Sequence, residues 1–409
     1  MSDTKKPAIR FQGFSDEWKQ SRVGELIEDY TEKTVVQNQY PVLTSSQQQG
    51  IVRQEEYFAD RQVTTNDNVG YFVLPFGYFT YRSRSDTDVF VFNRNDLMNK
   101  GIISYYYPVF APKSCDSNFL LRRLNYGIKK QLSMAAEGTG QKVLAHNKFK
   151  DMIVDVPDEK EQIKIGVIFE YIDNLIAQHQ SKLEKLQAVK ASMLEKMFPK
   201  DGADIPEIRF KGFTGAWDKY ELGKLCEKFT DGDWIESKDQ SNSGLRLIQT
   251  GNIGIAEYLD KPRSKKWISN ETFERLHCEE VFPGDILISR LPEPAGRACI
   301  VPDIGVRMIT AVDCTIVRTN SGVSNKFLVQ YLSSQRYFDK VNAVLAGGTR
   351  QRISRSNLSS LSILISKDFK EQEAIGNYFT HLNTVITLQQ QKLDKLQSIK
   401  KALLEKMFV

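Results

Sequence analysis

Three arginines stand close together in the segment AGGTRQRISRSN, residues 346–357, which has glycines near its start and contains no acidic residue. Arginine side chains bind phosphate oxygens, and arginine, glutamine and asparagine can form two hydrogen bonds with one base edge of DNA. A second segment, GTGQKVLAHNK from residue 138, has a similar composition. The candidate DNA-binding residues of the two segments are Gln141, Lys142, Asn147, Lys148, Arg350, Gln351, Arg352 and Arg355. A solvated surface loop is the alternative, and recurrence in both halves of the chain favours DNA contact.

Other polar side chains follow short runs of β-branched or aromatic residues, where a buried strand would continue with an apolar residue. Examples are the stretches YPVLTSS and LRLIQTGN. Such short runs, bounded by polar and turn residues, predict strands, so these side chains are expected at strand ends. The further candidate DNA contacts are Thr44, Ser45, Ser46, Gln47, Gln48, Tyr81, Arg82, Arg84, Gln249, Thr250, Asn252, Arg290 and Arg297.

An internal repeat runs through the chain. KLEKLQAVKASMLEKMF, residues 182–198, returns as KLDKLQSIKKALLEKMF, residues 392–408, with 11 of 17 positions identical. The stretch PAIRFQGFSDEW returns 199 residues later as PEIRFKGFTGAW, and GTGQKV returns 210 residues later as GTRQRI. Matching ends and divergent middles predict one frame that carries two different specificities.

Each copy ends in a predicted long amphipathic helix. Alternating steps of four and three residues follow a heptad seam in both helices, with polar residues at the same two steps. Helices of about 40 residues are about 60 Å long, too long for burial in a small globule, so the two seams are expected to pack on each other. Homodimerisation through generic coiled-coil segments is the alternative. The apolar seam residues are Ile165, Phe169, Ile172, Ile176, Leu183, Leu186, Ile375, Phe379, Leu382, Ile386, Leu393 and Leu396.

The predicted fold class is α+β (mixed α/β), with two globular domains joined by two long helices in a pseudo-twofold internal repeat. The helices are expected to form an antiparallel coiled coil. The predicted globular domains are residues 1–157 and 201–366, and the predicted helices are residues 158–200 and 367–409.

Catalytic and membrane signatures are absent from the sequence. It has no GxxxxGK[ST] loop, no HExxH among its four histidines and no Asn-Pro-Pro-aromatic tetrad. Five scattered cysteines without a CxxC pair favour reduced thiols and no metal site. No run of about 18 apolar residues and no N-terminal apolar h-region occurs, so a cytoplasmic protein is expected. The net charge of +5 is compatible with a polyanionic partner.

The whole chain resembles the specificity subunits of type I restriction–modification enzymes. The resemblance rests on the two variable domains, the repeated helices ending in Leu-Glu-Lys-Met-Phe, the Arg-Phe-x-Gly-Phe openings, and the GTRQRIS and KEQ blocks. It implies two target recognition domains that each read one half of a bipartite double-stranded DNA target. It also implies that the helix pair sets the spacer length and docks modification subunits.

The resemblance further implies partners that hold the chemistry. These are two adenine-methylating modification subunits and two restriction subunits that translocate DNA, with S-adenosylmethionine, ATP and magnesium on the partners and no cofactor, metal or catalytic residue in this chain. Two other functions stay open at this point. The chain could be a coiled-coil adaptor that binds proteins, or a stand-alone nuclease or methyltransferase with an unrecognised site.

Overall fold

A computed structural model of the protein describes residues 6–58, 67–346 and 351–408. Two compact units divide the chain between them. The first consists of Met1–Gln180 and Gln391–Val409, and the second of Ser181–Gln390. Each long helix therefore contributes its first half to one unit and its second half to the other. The predicted limits between the globular domains and the helices stay a prediction.

The first unit contains twelve strands and five short helices among its described residues, followed by the first long helix. The strands are β1 (Lys19–Arg22), β2 (Ile27–Tyr30), β3 (Leu43–Ser46), β4 (Gly50–Arg53), β5 (Phe72–Pro75), β6 (Phe79–Tyr81), β7 (Arg84–Ser85), β8 (Phe92–Arg94), β9 (Lys100–Ile103), β10 (Val109–Pro112), β11 (Lys142–Val143) and β12 (Ile153–Val156). The helices are α1 (Val23–Leu26), α2 (Gln54–Tyr57), α3 (Ser117–Asn125), α4 (Lys129–Ala135), α5 (His146–Lys150) and the long α6 (Glu159–Lys196).

The second unit follows the same order of elements at its two ends. Its strands are β13 (Asp218–Glu221), β14 (Cys226–Asp231), β15 (Gln240–Ser241), β16 (Leu245–Ile248), β17 (Lys266–Ile268), β18 (Glu280–Val281), β19 (Ile286–Ser289), β20 (Ala298–Ile300), β21 (Met308–Thr310), β22 (Cys314–Thr319) and β23 (Ser362–Ile365). Its α-helices are α7 (Asn270–Leu276), α8 (Asn325–Tyr331), α9 (Gln335–Ala343), α10 (Arg355–Ser359) and the long α11 (Phe369–Met407). Short 3-10 helices span Leu222–Leu225, Ser237–Asp239, Thr250–Asn252 and Pro262–Ser264.

Two sheets recur in both units. The antiparallel pair β1–β12 of the first unit corresponds to β13–β23 of the second, and the four-stranded sheet β2-β10-β6-β8 corresponds to β14-β22-β19-β20. The helix pair α3 and α4 likewise corresponds to α8 and α9. These elements mix helices with antiparallel strands in a repeated order, so the predicted α+β class and internal repeat are confirmed.

The middle of each unit differs. The first unit has two antiparallel strand pairs there, the hairpin β3–β4 and the pair β5–β9, whose strands are far apart in the chain. The second has a single sheet of order β15-β17-β16-β21-β18, in which β16 and β21 run parallel. The matching ends thus form a constant frame, and the two middles are different structures built on it.

The seam residues of the long helices are buried or half-buried, as the heptad pattern predicts. Ile165, Phe169, Ile375 and Phe379 are at most 1% exposed. In the first unit, Asp173 on α6 forms an ion pair of 2.6 Å with Lys400 on α11. The end of α11 therefore lies along the first half of α6, so the helices run antiparallel in this unit.

A buried glutamate joins the start of each long helix to the frame. In the first unit, Arg10 donates to both carboxylate oxygens of Glu161, over 2.7 and 2.6 Å. In the second, Arg209 makes the same two-point contact with Glu371, with its Nη2 at 2.8 Å. Both glutamates are completely buried. A buried carboxylate is tolerated only when it is paired and hydrogen-bonded, so this arginine explains why the Ile-Arg-Phe opening is repeated.

The neighbouring glutamines fix the short helix that packs on each long helix. Gln162 Oε1 accepts from the backbone N–H of Asp116, and Gln372 Oε1 accepts from that of Ser324, both over 2.9 Å. Asp116 and Ser324 are the N-caps of α3 and α8. A Cβ on Gly166 would lie 2.5 Å from Asp116 Oδ1, so only glycine permits this close approach of the two helices.

The phenylalanine that ends each repeated helix fills a core. Phe408, at the end of α11, lies 5.7 Å from Phe119 and 5.8 Å from Phe169 between ring centroids, and its ring meets Trp18 edge-on. It is 6% exposed. Phe198, at the end of α6, makes the equivalent contacts in the second unit. Its aromatic neighbours there are Trp217, Phe327, Tyr331 and Phe379.

We expect Phe408→Ala to loosen the first unit and to leave the second unchanged. Removal of a buried phenylalanine side chain typically costs about 3–5 kcal/mol through lost burial and the cavity left behind. Hydrogen exchange measured by mass spectrometry should show faster exchange in peptides that contain Phe119 and Phe169. Ile399→Ala, which removes an exposed apolar side chain from the same helix, is the matched control. Equal effects of the two variants would contradict a core role for Phe408.

Candidate nucleic-acid interface

An open cleft in the first unit brings together six of the predicted residues. It has a volume of about 510 Å³ and lies beside the β3–β4 hairpin. Its polar floor comes from the end of β3, and aromatic rings from α2 and from the segment before β10 complete it. The lining residues are Thr44, Ser45, Ser46, Gln47, Gln48, Gln54, Tyr57, Phe58, Arg82 and Tyr107.

The hydroxyl groups at the end of β3 hold the hairpin itself. Ser46 Oγ accepts from the backbone N–H groups of Gln48 and Gln49, both over 3.2 Å. Ser45 Oγ accepts from Asn93 Nδ2 over 2.8 Å. Because Thr44, Ser45 and Ser46 are all at most 8% exposed, they shape the floor of the cleft more than they offer contacts.

The amide and guanidinium groups of the cleft are more exposed than its hydroxyl groups. Gln48 is exposed and Gln54 is half-buried, and neither side chain forms a hydrogen bond within the described ranges. Gln47 donates from Nε2 to Val89 O over 3.2 Å. Arg82 is about half-exposed and lies 3.9 Å from the carboxylate of Asp86. Paired amides and a guanidinium are the groups that form hydrogen bonds with base edges.

Tyr81, predicted as a DNA contact, is a core residue. Its side chain is completely buried, and its hydroxyl lies 3.3 Å from Nδ1 of His146. Burial lowers the pKa of His146, although the hydrogen bond between its Nε2 and Asp29 acts in the opposite direction. The Tyr81 side chain at the end of β6 is buried because β6 is a central strand of its sheet.

The neighbouring candidates of the first unit lie at its surface with protein partners. Arg84 is exposed and stands over the ring of Tyr106 at 4.3 Å. Gln141 donates to Asp86 over 3.0 Å, and Lys148 forms an ion pair with Glu137. Lys142 belongs to β11, and Asn147 is exposed in α5.

The arginine-rich segment of the second unit corresponds in the structure to the segment from residue 138 of the first unit. The offset between them is 209 residues around Leu144, one less than the 210 residues of the sequence match. The backbone N–H of Leu144 donates to Ser83 O, and that of Ile353 donates to Arg290 O. Both side chains are buried, so Ile353 occupies the place of Leu144. Arg355 therefore corresponds to His146. The predicted alignment at 210 residues is wrong at this point, because it aligned the buried Leu144 with Ser354.

Two residues of that segment have acidic neighbours, contrary to the expectation from the sequence. Arg352 lies 3.7 Å from Asp313, and Arg355 lies 4.0 Å from Asp231, with both arginine side chains about half-exposed. Gln351 is exposed. Arg350 lies outside the described residues. The acidic partners come from other parts of the chain, which the local sequence could not reveal.

Arg297 and Asn252, both predicted as DNA contacts, have their polar groups engaged within the second unit. The Arg297 guanidinium donates to four backbone carbonyl oxygens, those of Thr250, Ile253, Leu291 and Pro294, over 2.7 to 2.9 Å. Burial lowers the pKa of Arg297. Asn252 is 4% exposed; its Nδ2 donates to Leu259 O, and its Oδ1 accepts from the backbone N–H of Gln249.

Arg290 is likewise held within the protein. Its side chain is 4% exposed, donates from Nη2 to Val312 O over 2.7 Å and lies 3.3 Å from Asp231. It lines a cleft of about 520 Å³ together with Arg355 and Ser356. Arg290 is therefore engaged by protein partners, and its role as a DNA contact stays a prediction. Gln249 and Thr250 are half-buried on the turn after β16 and stay candidates.

One strongly basic segment, residues 261–266 of the second unit, is not among the predicted DNA contacts and reads KPRSKK. Four of its six residues are cationic, and all but Lys266 are exposed. The run of charge itself was the available signal. In the first unit, Gln54, Tyr57 and Tyr107 were missed because they reach the cleft from separate parts of the chain.

The described residues offer neither a metal site nor a membrane span. Within the described residues, no group of three or more histidine, cysteine, aspartate or glutamate side chains could hold a metal ion. Within the same residues, none of the helices is long and apolar enough to cross a membrane. All five cysteines are free thiols.

Comparison with solved structures shows the fold. The chain superposes on the crystal structure of a type I restriction–modification S subunit from M. genitalium with a TM-score of 0.63, 13% identity and coverage of 99% of both chains. A chain from a structural study of complex assembly and conformational transition in the type I restriction–modification system gives a TM-score of 0.51 at 18% identity, over 96% of this chain and 97% of the other.

Sequence comparison gives relatives of the same kind. Two proteins of Methanocaldococcus jannaschii are similar over about two thirds of this chain. The type I restriction enzyme MjaVIII specificity subunit is 19% identical over 287 residues, which cover 67% of this chain and 65% of that protein. The putative MjaX specificity subunit is 22% identical over 280 residues, which cover 66% and 62%. The match thus spans less than two thirds of either relative.

The family comparison covers most of the chain. The type I restriction modification DNA specificity domain matches residues 15–188 and again residues 215–398. Each match begins just before the first strand of one unit, β1 or β13, and ends within a long helix. The matches therefore follow the two copies of the repeated frame. With its two copies of this domain, the chain belongs to the type I restriction modification DNA specificity family.

Proposed function

We propose that this chain is the non-catalytic specificity subunit of a type I restriction–modification complex, in which each globular domain reads one half of a bipartite double-stranded DNA target. The observation that carries the proposal is one frame built twice around two different middles. The Arg10–Glu161 and Arg209–Glu371 contacts are the same in both units, whereas the sheets in the middle of the two units differ. A constant frame with a variable reading surface is what independent recognition of two half-sites requires.

Polar surfaces on the two middles and on the frame segments beside them provide the base contacts. In the first unit these are the Arg82 guanidinium and the amides of Gln48 and Gln54, which form no hydrogen bond among the described residues. In the second unit they are the turn at Gln249 and Thr250, with the exposed Gln351, Arg352 and Arg355 on the arginine-rich segment. Glutamine pairs with adenine and arginine with guanine through two hydrogen bonds, so these groups can discriminate bases.

The long helices set the distance between the half-sites and dock the partners. Gln187 and Glu195 on α6 are exposed, as are their counterparts Gln397 and Glu405 on α11. Packing alone does not require exposed residues to recur, so two copies of a partner that contact equivalent faces explain them. The partners are two modification subunits, with two restriction subunits in the restriction-active form. S-adenosylmethionine, ATP and magnesium bind to those subunits.

The alternatives make different predictions in one assay. A stand-alone nuclease or methyltransferase would turn over DNA as the purified chain with S-adenosylmethionine or with ATP and magnesium, whereas the specificity subunit would not. A protein-binding adaptor would show no sequence preference in a random DNA pool. Selection of bound oligonucleotides by the full chain with its modification partner therefore tests the proposal directly.

Exchange of residues 1–157 for the first recognition domain of another family member should change one half-site and leave the other intact. The physical reason is that the two middles are built on separate frames, each with its own buried glutamate contact. The measurement is the consensus of DNA selected by the hybrid complex. Changes in both half-sites would contradict two independent readers.

Insertion of one heptad into each long helix, after Gln187 and after Gln397, should lengthen the spacer and leave both half-sites unchanged. Seven residues add about 10 Å to a helix and keep its seam in phase. At about 3.4 Å per base pair, the preferred spacer should grow by about three base pairs. Insertion of four residues, which breaks the seam, is the control. An unchanged spacer would show that the helices do not determine it.

The combined substitution Gln48→Ala and Gln54→Ala should weaken discrimination at the half-site read by the first unit. Each lost pair of base contacts is worth about 1–3 kcal/mol of discrimination. The measurement is the affinity for a set of single-base variants of the selected target. Gln20→Ala, an exposed glutamine on β1 outside the cleft, is the matched control. A loss of affinity that is equal for all targets would argue against base contact.

A further inference from the structure

The basic segment, residues 261–266, lies beside the turn at Gln249 and Thr250 in the second unit. It contains Lys261, Arg263, Lys265 and Lys266. One of these cations is paired, since Lys265 lies 3.3 Å from Asp260. Lys261 and Arg263 are exposed and form no ion pair within the part of the chain that the structure describes. A run of charge on a surface is usually only a solvated face, so its position decides whether it has a role.

Both ends of the basic segment are fixed to the strand and turn that carry the candidate base contacts. At one end, the backbone N–H of Leu259 donates to Asn252 O over 2.8 Å, and Asn252 Nδ2 donates to Leu259 O over 2.9 Å. At the other end, Lys266 pairs with Leu247 of β16, the strand that leads into Gln249. The segment therefore cannot move far from this turn.

Within the segment, Lys261 reaches back over the turn. Its ammonium nitrogen lies 3.1 Å from the position that a Cβ on Gly251 would occupy. Gly251 stands directly after Thr250, so a cation is held next to the polar groups of Gln249 and Thr250. Arg263 lies two residues further along the same exposed segment, in the 3-10 helix Pro262–Ser264.

We propose that Lys261 and Arg263 bind phosphate groups of the DNA backbone beside the bases contacted by the turn at Gln249 and Thr250. This inference rests on the proposed function, because it assumes that the turn faces DNA. Lysine and arginine that neutralise phosphates release condensed counterions, and each such contact adds about 0.9 to the slope of log K against log salt. Phosphate contacts fix the position of a protein on the duplex and carry no base preference.

The test is a salt titration of DNA binding by the full chain co-purified with its modification partner. In the double variant Lys261→Ala and Arg263→Ala, the slope should fall by about 1.8, because two phosphate contacts are lost. Affinity for the selected target and for random DNA should fall by the same factor, and the selected consensus should stay the same. Lys211→Ala with Lys219→Ala removes two exposed cations elsewhere in the same unit and is the charge-matched control.

A second variant keeps the charge. Lys261→Arg with Arg263→Lys should retain the slope of the unmodified protein, because counterion release depends on charge. An unchanged slope in the alanine variant, with sequence-specific binding intact, would overturn the phosphate contacts and leave the proposed function standing. Equal losses in the alanine variant and the charge-matched control would also overturn them. If the unmodified protein selects no consensus, the proposed function fails.

Discussion

Neither compact unit of this protein has a complete core without the end of a helix that began in the other unit. Phe198 directly follows the helix that starts at Glu159 and ends at Lys196, and it packs among Trp217, Phe327 and Phe379. Phe408 does the same for the first unit. Aromatic side chains of this size bury large apolar areas and dominate core energetics. This constraint explains why the 17-residue helix end is present twice. Each copy places its phenylalanine among equivalent aromatic residues of a core.

The buried carboxylates fix the position of each long helix relative to the arginine of the repeated opening. Glu161 and Glu371 are completely buried, and each is satisfied by two parallel hydrogen bonds from one arginine. Loss of one partner from such a pair typically costs about 3–5 kcal/mol, because an unpaired charge stays buried. The frame is therefore intolerant of change at these points. The middles carry none of these contacts, so their sheets can differ without disturbing the start of the long helix.

Periodicity predicted the fold well, and side-chain chemistry predicted the site only in part. The heptad seam was predictable because Phe169 and Leu183 follow a regular spacing that burial imposes. The strand β3 was also predictable, because the polar residues of LTSS follow apolar residues and mark where the strand ends. Tyr81 lies in the core, where its hydroxyl meets His146. Asn252 and Arg297 have protein partners that the sequence did not indicate, because backbone carbonyls of other segments accept from their side chains. No local pattern indicates that Arg297 meets four of them. The segment 261–266 shows the opposite case, a plain charge run whose neighbours only the fold reveals.

The contact of Phe408 with Trp18 and Phe119 also has a consequence for biosynthesis. The ribosome makes residues 1–180 first, but the slot for Phe408 in their core stays open until the whole second unit has been made. Early domains of large proteins usually fold as soon as they leave the ribosome. Here the nascent first unit keeps an apolar surface uncovered throughout elongation. A chain that stops early would therefore present that surface to chaperones and proteases, and only full-length products would escape degradation.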